Sequence, residues 1–209
     1  MEPGKKQGFR LNLPASIYAE NIPMGQEYAE ITSTPPALCF VATSGTGKTT
    51  LLEQVIQCLQ EAGVEVGALK HDAHHFNIDH PGKDSYRFTC AGAKTMLIAS
   101  SSKIAMVKQS CEPAPENLIR KYFSDCDLVL AEGYRKSRLP CIALFRQDHL
   151  TRFRLDEIEN CIAVAADFEV DTDLPLLNIN NPKEVARFVC HRFLPCRERV
   201  WEILNESSE

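Results

Sequence analysis

The 209-residue sequence has no stretch approaching the ~20 apolar residues a membrane span needs, and its N-terminus has no secretory h-region. These two absences argue against a membrane span and against secretion. It also has no CxxC pair. Nine cysteines stand at positions 39, 58, 90, 111, 126, 141, 161, 190 and 196, so neither a zinc ribbon nor a thioredoxin-type redox site is suggested. Most sit inside apolar runs (LCFVA, PCIALF, NCIAVAA), where a free thiol packs as a small hydrophobe. A reducing, cytoplasmic compartment is therefore expected. An excess of positive charge is absent too. The net charge of -5 argues against a nucleic-acid partner held by bulk electrostatics, yet leaves room for a local basic pocket that binds phosphates. No internal repeat is present. With 44% hydrophobic and 24% charged residues the composition is that of an ordinary globular protein, and the length suits one domain, at most with an appendage.

Residues 1–36 stand apart. They carry Pro3, Pro14, Pro23, Pro35 and Pro36 with Gly4, Gly8 and Gly25, and show no sustained periodicity. This predicts an N-terminal extension, extended or partly disordered, closed by a Pro-Pro stop. Whether its FRLNL run pairs with a sheet is left open. Residues 37–209 read as the folded domain. Leu38 to Ala42 is a short buried-strand run, TSGTG breaks it, and Lys48 to Ala62 reads as a helix with Leu51, Leu52, Val55, Ile56 and Leu59 on one stripe. Gly63 ends that helix. VEVGALK, KTMLIAS, KIAMVK, DLVLAEG, PCIALFR, NCIAVAAD and LPLLNI are strand-length apolar runs, interleaved with helices at DSYRFTCAGA, Pro115 to Phe123 and Lys183 to Leu204. Alternating elements, with several strands apolar on both faces, predict a single α/β domain: a mostly parallel sheet covered by helices on two sides.

The chemistry-bearing motif is ATSGTGKT, residues 42–49, which fits G-x-x-x-x-G-K-[ST] except for Ala42 at the first position. Gly45 and Gly47 allow the chain to turn sharply and aim N–H groups at phosphate oxygens, just before a helix N-terminus that favours anions. Thr43, Ser44, Gly45, Thr46, Gly47, Lys48, Thr49 and Thr50 are thus the expected phosphate-binding residues. Lys48 would bridge the β- and γ-phosphates, and the Thr49 hydroxyl would ligate Mg²⁺. Alanine at position 42 costs little if its backbone is not left-handed. The second part is DLVLAEG: a buried strand ending in an acid puts Glu132 at the C-terminal edge of the sheet. There it would hold Mg²⁺, directly or through water, or polarise an attacking water. A solvated acid at a strand end is the plain alternative. Lys48 and Glu132 are the candidate catalytic pair, Thr49 and Glu132 the candidate metal ligands.

Residues 70–93, KHDAHHFNIDHPGKDSYRFTCAGA, form the densest polar stretch. His71, Asp72, His74, His75, Asp79 and His80 carry imidazole and carboxylate, which together suit a transition metal, but the spacing matches no zinc signature. A loop contacting nucleotide or substrate through residues such as Lys70 and His71 is the competing reading. A plain solvated loop is the third. Pro81 and Gly82 predict a turn, and Asp84 a cap for a helix beginning at Ser85. Lys83 and Arg87, near that helix start, are further candidate phosphate contacts.

Taken together, SGTGKTTLL, the KH…HH…D-x-PGKDSY…AGA block, LVLAEGY, IALFR, and IAVAAD before LPLLNIN resemble the molybdopterin-guanine dinucleotide biosynthesis protein B (MobB) family, from about Leu38 to Val189. A phosphate loop alone occurs in many families, whereas the PGKDSY block in this order is far more specific. The resemblance implies a P-loop NTPase-like fold, usually a homodimer, that binds GTP and hydrolyses it weakly. It implies an adapter that assists the molybdenum cofactor guanylyltransferase joining GMP to molybdopterin, or delivers the finished cofactor to molybdoenzymes. Mg²⁺ and GTP are the expected cofactors, with molybdopterin or its guanine dinucleotide as a further ligand. Neither nucleic acid nor membrane is an expected partner. Members of the family use alanine at the position of Ala42; the long N-terminal extension departs from the pattern.

Guanine selectivity is not legible in the usual way, because the chain contains no N-K-x-D motif. One physical candidate is Asp167, which follows the strand CIAVAA and could accept the guanine N1 and N2 protons; the alternative is an acid that merely starts a loop. Two other classes remain. A small-metabolite kinase would need a base, with Asp72 or Asp79 available, and Arg135, Lys136 and Arg138 as lid cations. A metal-insertion GTPase would draw its ligands from the histidine loop, with His74 and His75 the residues whose substitution tests it.

Overall fold

The computed structural model describes residues 34–72, 76, 78–110, 113–149, 154–194 and 197–206. The expected extension therefore lies outside the described residues except for 34–36, which lead into the first strand. Five strands take the positions that the apolar runs predict: β1 (Ala37–Val41), β2 (Val66–Lys70), β5 (Leu128–Glu132), β6 (Cys141–Phe145) and β7 (Cys161–Ala166). With the shorter β8 (Leu176–Asn178) they form one six-stranded sheet in the order β2-β5-β1-β6-β7-β8, and every pairing in it is parallel.

Strand β1 explains why such runs read as continuously apolar. Leu38 and Phe40 point to one face and join the cluster built with Leu51, Leu52, Val55 and Leu59 of α1 (Lys48–Glu61), and with Val185, Ala186 and Val189 of α4 (Pro182–Phe193). Val200 and Leu204 of α5 (Glu198–Glu206) complete that face. Cys39 and Val41 point the opposite way, into a smaller cluster with Ile119 of α3 (Pro115–Tyr122) and with Val129, Ala131 and Ala143. A strand buried on both faces cannot alternate apolar with polar, so periodicity alone would not have separated it from a buried helix. The thiols of Cys39, Cys141 and Cys190 are free and buried, as expected for small hydrophobes.

Two of the strand-length runs stand apart from this sheet. The runs KTMLIAS and KIAMVK, strands β3 (Thr95–Ala99) and β4 (Ile104–Lys108), do not join the parallel sheet; they form a separate antiparallel pair. The reason is the connection. Only residues 100–103 separate the two strands, far too few for a parallel crossover, and Ser100 Oγ accepts from the N–H groups of Ser102 and Lys103 to close the turn. One face of this hairpin presents Leu97, Ile104 and Met106, which remain 56%, 68% and 39% exposed.

The topology fixes where a ligand can sit. The sheet grows from β1 in both directions, toward β5 and β2 on one side and toward β6, β7 and β8 on the other. Ligands of open α/β sheets bind in the crevice beyond the carboxyl ends of the strands at such a reversal. The loop after β1 occupies that point.

Candidate functional site

Residues 42–47 turn from β1 into α1. Gly45 and Gly47 both adopt left-handed backbone, with φ of 83° and 91°. A side chain at either would add strain, which accounts for two glycines in three positions. Ala42 is not among the positive-φ residues, so the missing first glycine of the motif costs the loop nothing conformationally. Thr46 is buried, and its Oγ1 donates to the Thr43 carbonyl at 3.0 Å while lying 3.0 Å from Thr43 Oγ1. These two hydroxyls brace the loop from within, leaving backbone groups to face outward at the exposed Ser44 and Gly45. Helix α1 begins at Lys48 with no side-chain cap on its N–H groups. Thr50 lies exposed in its first turn.

Lys48 Nζ donates to the carbonyls of Ala42 at 3.2 Å and Thr43 at 2.9 Å, which bends the ammonium over the loop. Burial lowers its pKa below the ordinary lysine value of 10.5, and the nearby Glu132 carboxylate only partly restores it. Glu132 closes strand β5 directly beside β1: its register partners are Phe40 on one side and Lys70 on the other. Its Oε2 accepts from Thr49 Oγ1 at 2.9 Å and lies 4.0 Å from Lys70 Nζ. The carboxylate is only 15% exposed, so it is a positioned group at the loop rather than a solvated strand end.

His71 continues β2 past Lys70. Its N–H donates to the Glu132 carbonyl at 3.0 Å, and its ring lies 4.9 Å from that of Tyr134. Between them, Gly133 adopts φ 91°, and a β-carbon there would approach His71 Cβ to 3.2 Å. Tyr134 follows at φ 57°, an uncommon conformation for an aromatic residue and one that clusters at functional sites. Lys48, Thr49, Lys70, His71 and Glu132 thus converge at one edge of the sheet.

The polar block behaves differently from its reading at the start of its helix. Helix α2 (Asp84–Cys90) is preceded by Lys83, so Asp84 is its first residue rather than its cap, and it pairs with Arg87 at 3.2 Å. Asp79 does the organising instead: its Oδ1 accepts from Ser85 Oγ at 2.7 Å and from the His80 N–H at 3.0 Å. Its Oδ2 is buried without a partner among the described residues. Among the described residues no hydrogen bond or ion pair links Lys83 to residues 42–47. His74 and His75 lie outside the described residues, and among the described ones no group of three His, Cys, Asp or Glu is arranged to hold a metal. Of the lid cations, Arg135 is held by Glu157 at 2.5 Å.

Asp167 sits at the end of β7, two strands from the glycine loop that follows β1. Its Oδ1 accepts from the Gln147 N–H at 2.9 Å and its Oδ2 from Arg146 Nη1 at 3.3 Å. With Asn178, Asn180 and Glu184 it lines an open cavity of about 440 Å³. Arg146 is the residue sequence reasoning missed. It follows β6, and its Nε donates to the Thr46 carbonyl at 3.0 Å. His149 was missed as well, with ring atoms 3.7 Å from where a β-carbon on Gly45 would stand. A signal existed: Arg146 ends an apolar run next to β1, the position that singled out Glu132 and Asp167.

A parallel sheet with helices on both faces, and a glycine-rich turn running from β1 into α1 at the point where strand order reverses, define a P-loop NTPase-like α/β protein. The chain belongs to the MobB family, molybdopterin guanine dinucleotide synthesis protein B, whose family profile matches residues 37–167. It is similar to the molybdopterin-guanine dinucleotide biosynthesis adapter protein of Escherichia coli, 37% identical over 163 residues, covering 74% of this chain and 91% of that protein. The adapter protein of Haemophilus influenzae is 33% identical over 156 residues, covering 74% and 87%. A crystal structure of molybdopterin-guanine biosynthesis protein B superposes with a TM-score of 0.61 at 26% identity, over 75% of this chain and 99% of that one. Bacillus subtilis MobB matches in fold, with a TM-score of 0.59 at 19% identity over 76% and 97%.

Proposed function

We propose that this chain is a guanine-nucleotide-binding adapter in molybdopterin guanine dinucleotide biosynthesis. The observation that carries the nucleotide reading is the Thr49 hydroxyl held 2.9 Å from the Glu132 carboxylate, beside a lysine bent over a loop with two left-handed glycines. The adapter role rests on the names of the relatives. In this reading the backbone of residues 43–47 and the Lys48 ammonium hold the phosphates, with Thr50 at the helix start. Lys70 and His71 flank them, with Lys83 as a further phosphate contact.

Mg²⁺ suits the donors present: Thr49 Oγ1 and Glu132 Oε2 are hard oxygens, adjacent and next to the phosphate loop. Bound there, the ion would neutralise phosphate charge. Hydrolysis, where it occurs, is slow, since Glu132 is already engaged by Thr49 and is poorly placed to activate water. The output of such a site is a bound state that a guanylyltransferase or a molybdopterin ligand can recognise. The apolar hairpin face of Leu97, Ile104 and Met106 supports a homodimer, because side chains this exposed are costly without a partner. Asp167, in its cavity at the end of β7, is the proposed reader of the guanine edge.

Calorimetric titration of GTP and ATP with Mg²⁺ tests the reading on wild type and Lys48→Ala. Binding of GTP well above ATP, lost in the variant, supports it. A preference for ATP removes the guanine assignment and moves the weight to a kinase, whose ADP production would depend on an added acceptor.

A further inference from the structure

The guanidinium of Arg146 touches both halves of the proposed site. Its Nη1 donates to Asp167 Oδ2 at 3.3 Å and to Asn180 Oδ1 at 2.9 Å, both in the lining of the cavity beyond β7 and β8. Its Nε donates to the Thr46 carbonyl at 3.0 Å, inside the phosphate loop. The Nε and Nη2 atoms lie 3.7 and 3.9 Å from the β-carbon position of Gly47, so the edge of the guanidinium that carries two parallel N–H groups faces the loop. Among the described residues no acceptor meets Nη2. The side chain is 31% exposed, and its planar fork is rigid, so a shift at one end is felt at the other.

We infer that Arg146 is a positioning residue that couples the base cavity to the phosphate loop. The inference rests on the nucleotide reading above and adds to it a route by which base identity reaches the phosphates. A guanine edge donating N–H groups to the remaining lone pairs of Asp167 draws the carboxylate toward the base while Arg146 Nη1 stays on Oδ2, so the fork follows. The guanidinium then pivots on its Thr46 contact, and the 46–47 peptide, whose geometry sets the amide at the mouth of the loop, responds. A base offering an acceptor to Asp167 instead repels the carboxylate and leaves the fork where it is. Lysine cannot reproduce this: a single ammonium carries charge but cannot hold Asp167, Asn180 and Thr46 in one plane.

The test is a double-mutant cycle read by calorimetry with Mg²⁺, using GTP, ATP and inorganic tripolyphosphate as ligands. The proteins are wild type, Arg146→Ala, Arg146→Lys, Asp167→Asn and the double variant Arg146→Ala/Asp167→Asn. Tripolyphosphate has no base, so it reports the loop alone. Coupling predicts that Arg146→Ala shrinks the GTP-to-ATP affinity ratio by roughly tenfold, within the range that neighbouring residues show, while tripolyphosphate weakens far less. Arg146→Lys shrinks the ratio equally, and the double variant is no worse than Asp167→Asn alone. Equal losses for all three ligands with the ratio intact, or additive effects of the two substitutions, would overturn the coupling while leaving the nucleotide reading standing. If folded wild type binds tripolyphosphate but neither nucleotide, the base cavity and the coupling fall together. If it binds none of the three, the nucleotide reading fails as well.

Discussion

Replacing Glu132 by glutamine keeps the volume at the end of β5 and removes one charge. Two consequences differ in size. Without ligand, the hydrogen bond from Thr49 Oγ1 at 2.9 Å changes from a charged to a neutral acceptor, a loss of about 1 kcal/mol on the scale of such bonds. The contact with Lys70 at 4.0 Å contributes little, because Lys70 is 62% exposed. For a chain of this length about 1 kcal/mol moves the melting temperature by roughly 2–4 °C. The cation-dependent effect is larger. A ligand at a hundred times its Kd stabilises by about 2.7 kcal/mol, roughly 5–10 °C here. Melting curves with a non-hydrolysable GTP analogue, with and without Mg²⁺, separate the two. Wild type should gain an increment from Mg²⁺ on top of the nucleotide, and Glu132→Gln should lose that increment from a baseline shifted by only a few degrees. An unchanged Mg²⁺ increment in the variant would remove Glu132 from the metal site. A ligand-free baseline lowered by about 10 °C would mean that the carboxylate is a structural anchor instead.

Other perturbations follow from single contacts. Burial holds the Lys48 pKa below 10.5, so the unfolded chain keeps this proton to higher pH than the folded one, and the charged side chain costs stability at neutral pH. Lys48→Met should therefore melt no lower than wild type at pH 7 and lose the rise in stability on the alkaline side, while phosphate binding disappears; a drop above about 1 kcal/mol would contradict this. Gly67→Ala places a β-carbon 2.4 Å from Phe123 Cδ1 and 3.1 Å from Cys126 Sγ, so it should cost about 1–3 kcal/mol in chemical denaturation, partly recovered by Phe123→Leu. Leu97→Glu with Ile104→Lys charges the exposed face of the hairpin and should convert a dimer to monomer in light scattering at unchanged helical signal; a persistent dimer would place the interface elsewhere. Burial pushes the Cys190 thiol up to about 11, so mass-spectrometric mapping after brief alkylation at pH 8 should find Cys190 unmodified and the exposed Cys90 modified.

Local chemistry made much of this protein legible. The phosphate loop needs two left-handed glycines, a lysine and a hydroxyl at fixed spacing, and no distant contact is required to see them in ATSGTGKT. The apolar runs fixed the sheet class because a strand covered on both faces has no polar positions to spare. Charged residues closing such runs marked Glu132 and Asp167, since the carboxyl ends of parallel strands open onto the crevice. What the sequence could not carry was any relation between segments that fold to the same edge from far apart. That β3 and β4 leave the main sheet depends on a turn too short for a crossover. That Asp79 rather than Asp84 ties down the start of α2 depends on the Ser85 hydroxyl and the His80 N–H both meeting its Oδ1. Above all, the contact between Arg146 and Thr46, a hundred residues apart in the chain, exists only because β6 lies beside β1 and both end at the same height. The sequence by itself determined the strand–glycine loop–helix order and the residue types that close each strand. The tertiary structure decided which of them share one site, because strand order and register, set by burial of both sheet faces, bring the ends of distant runs within hydrogen-bonding distance.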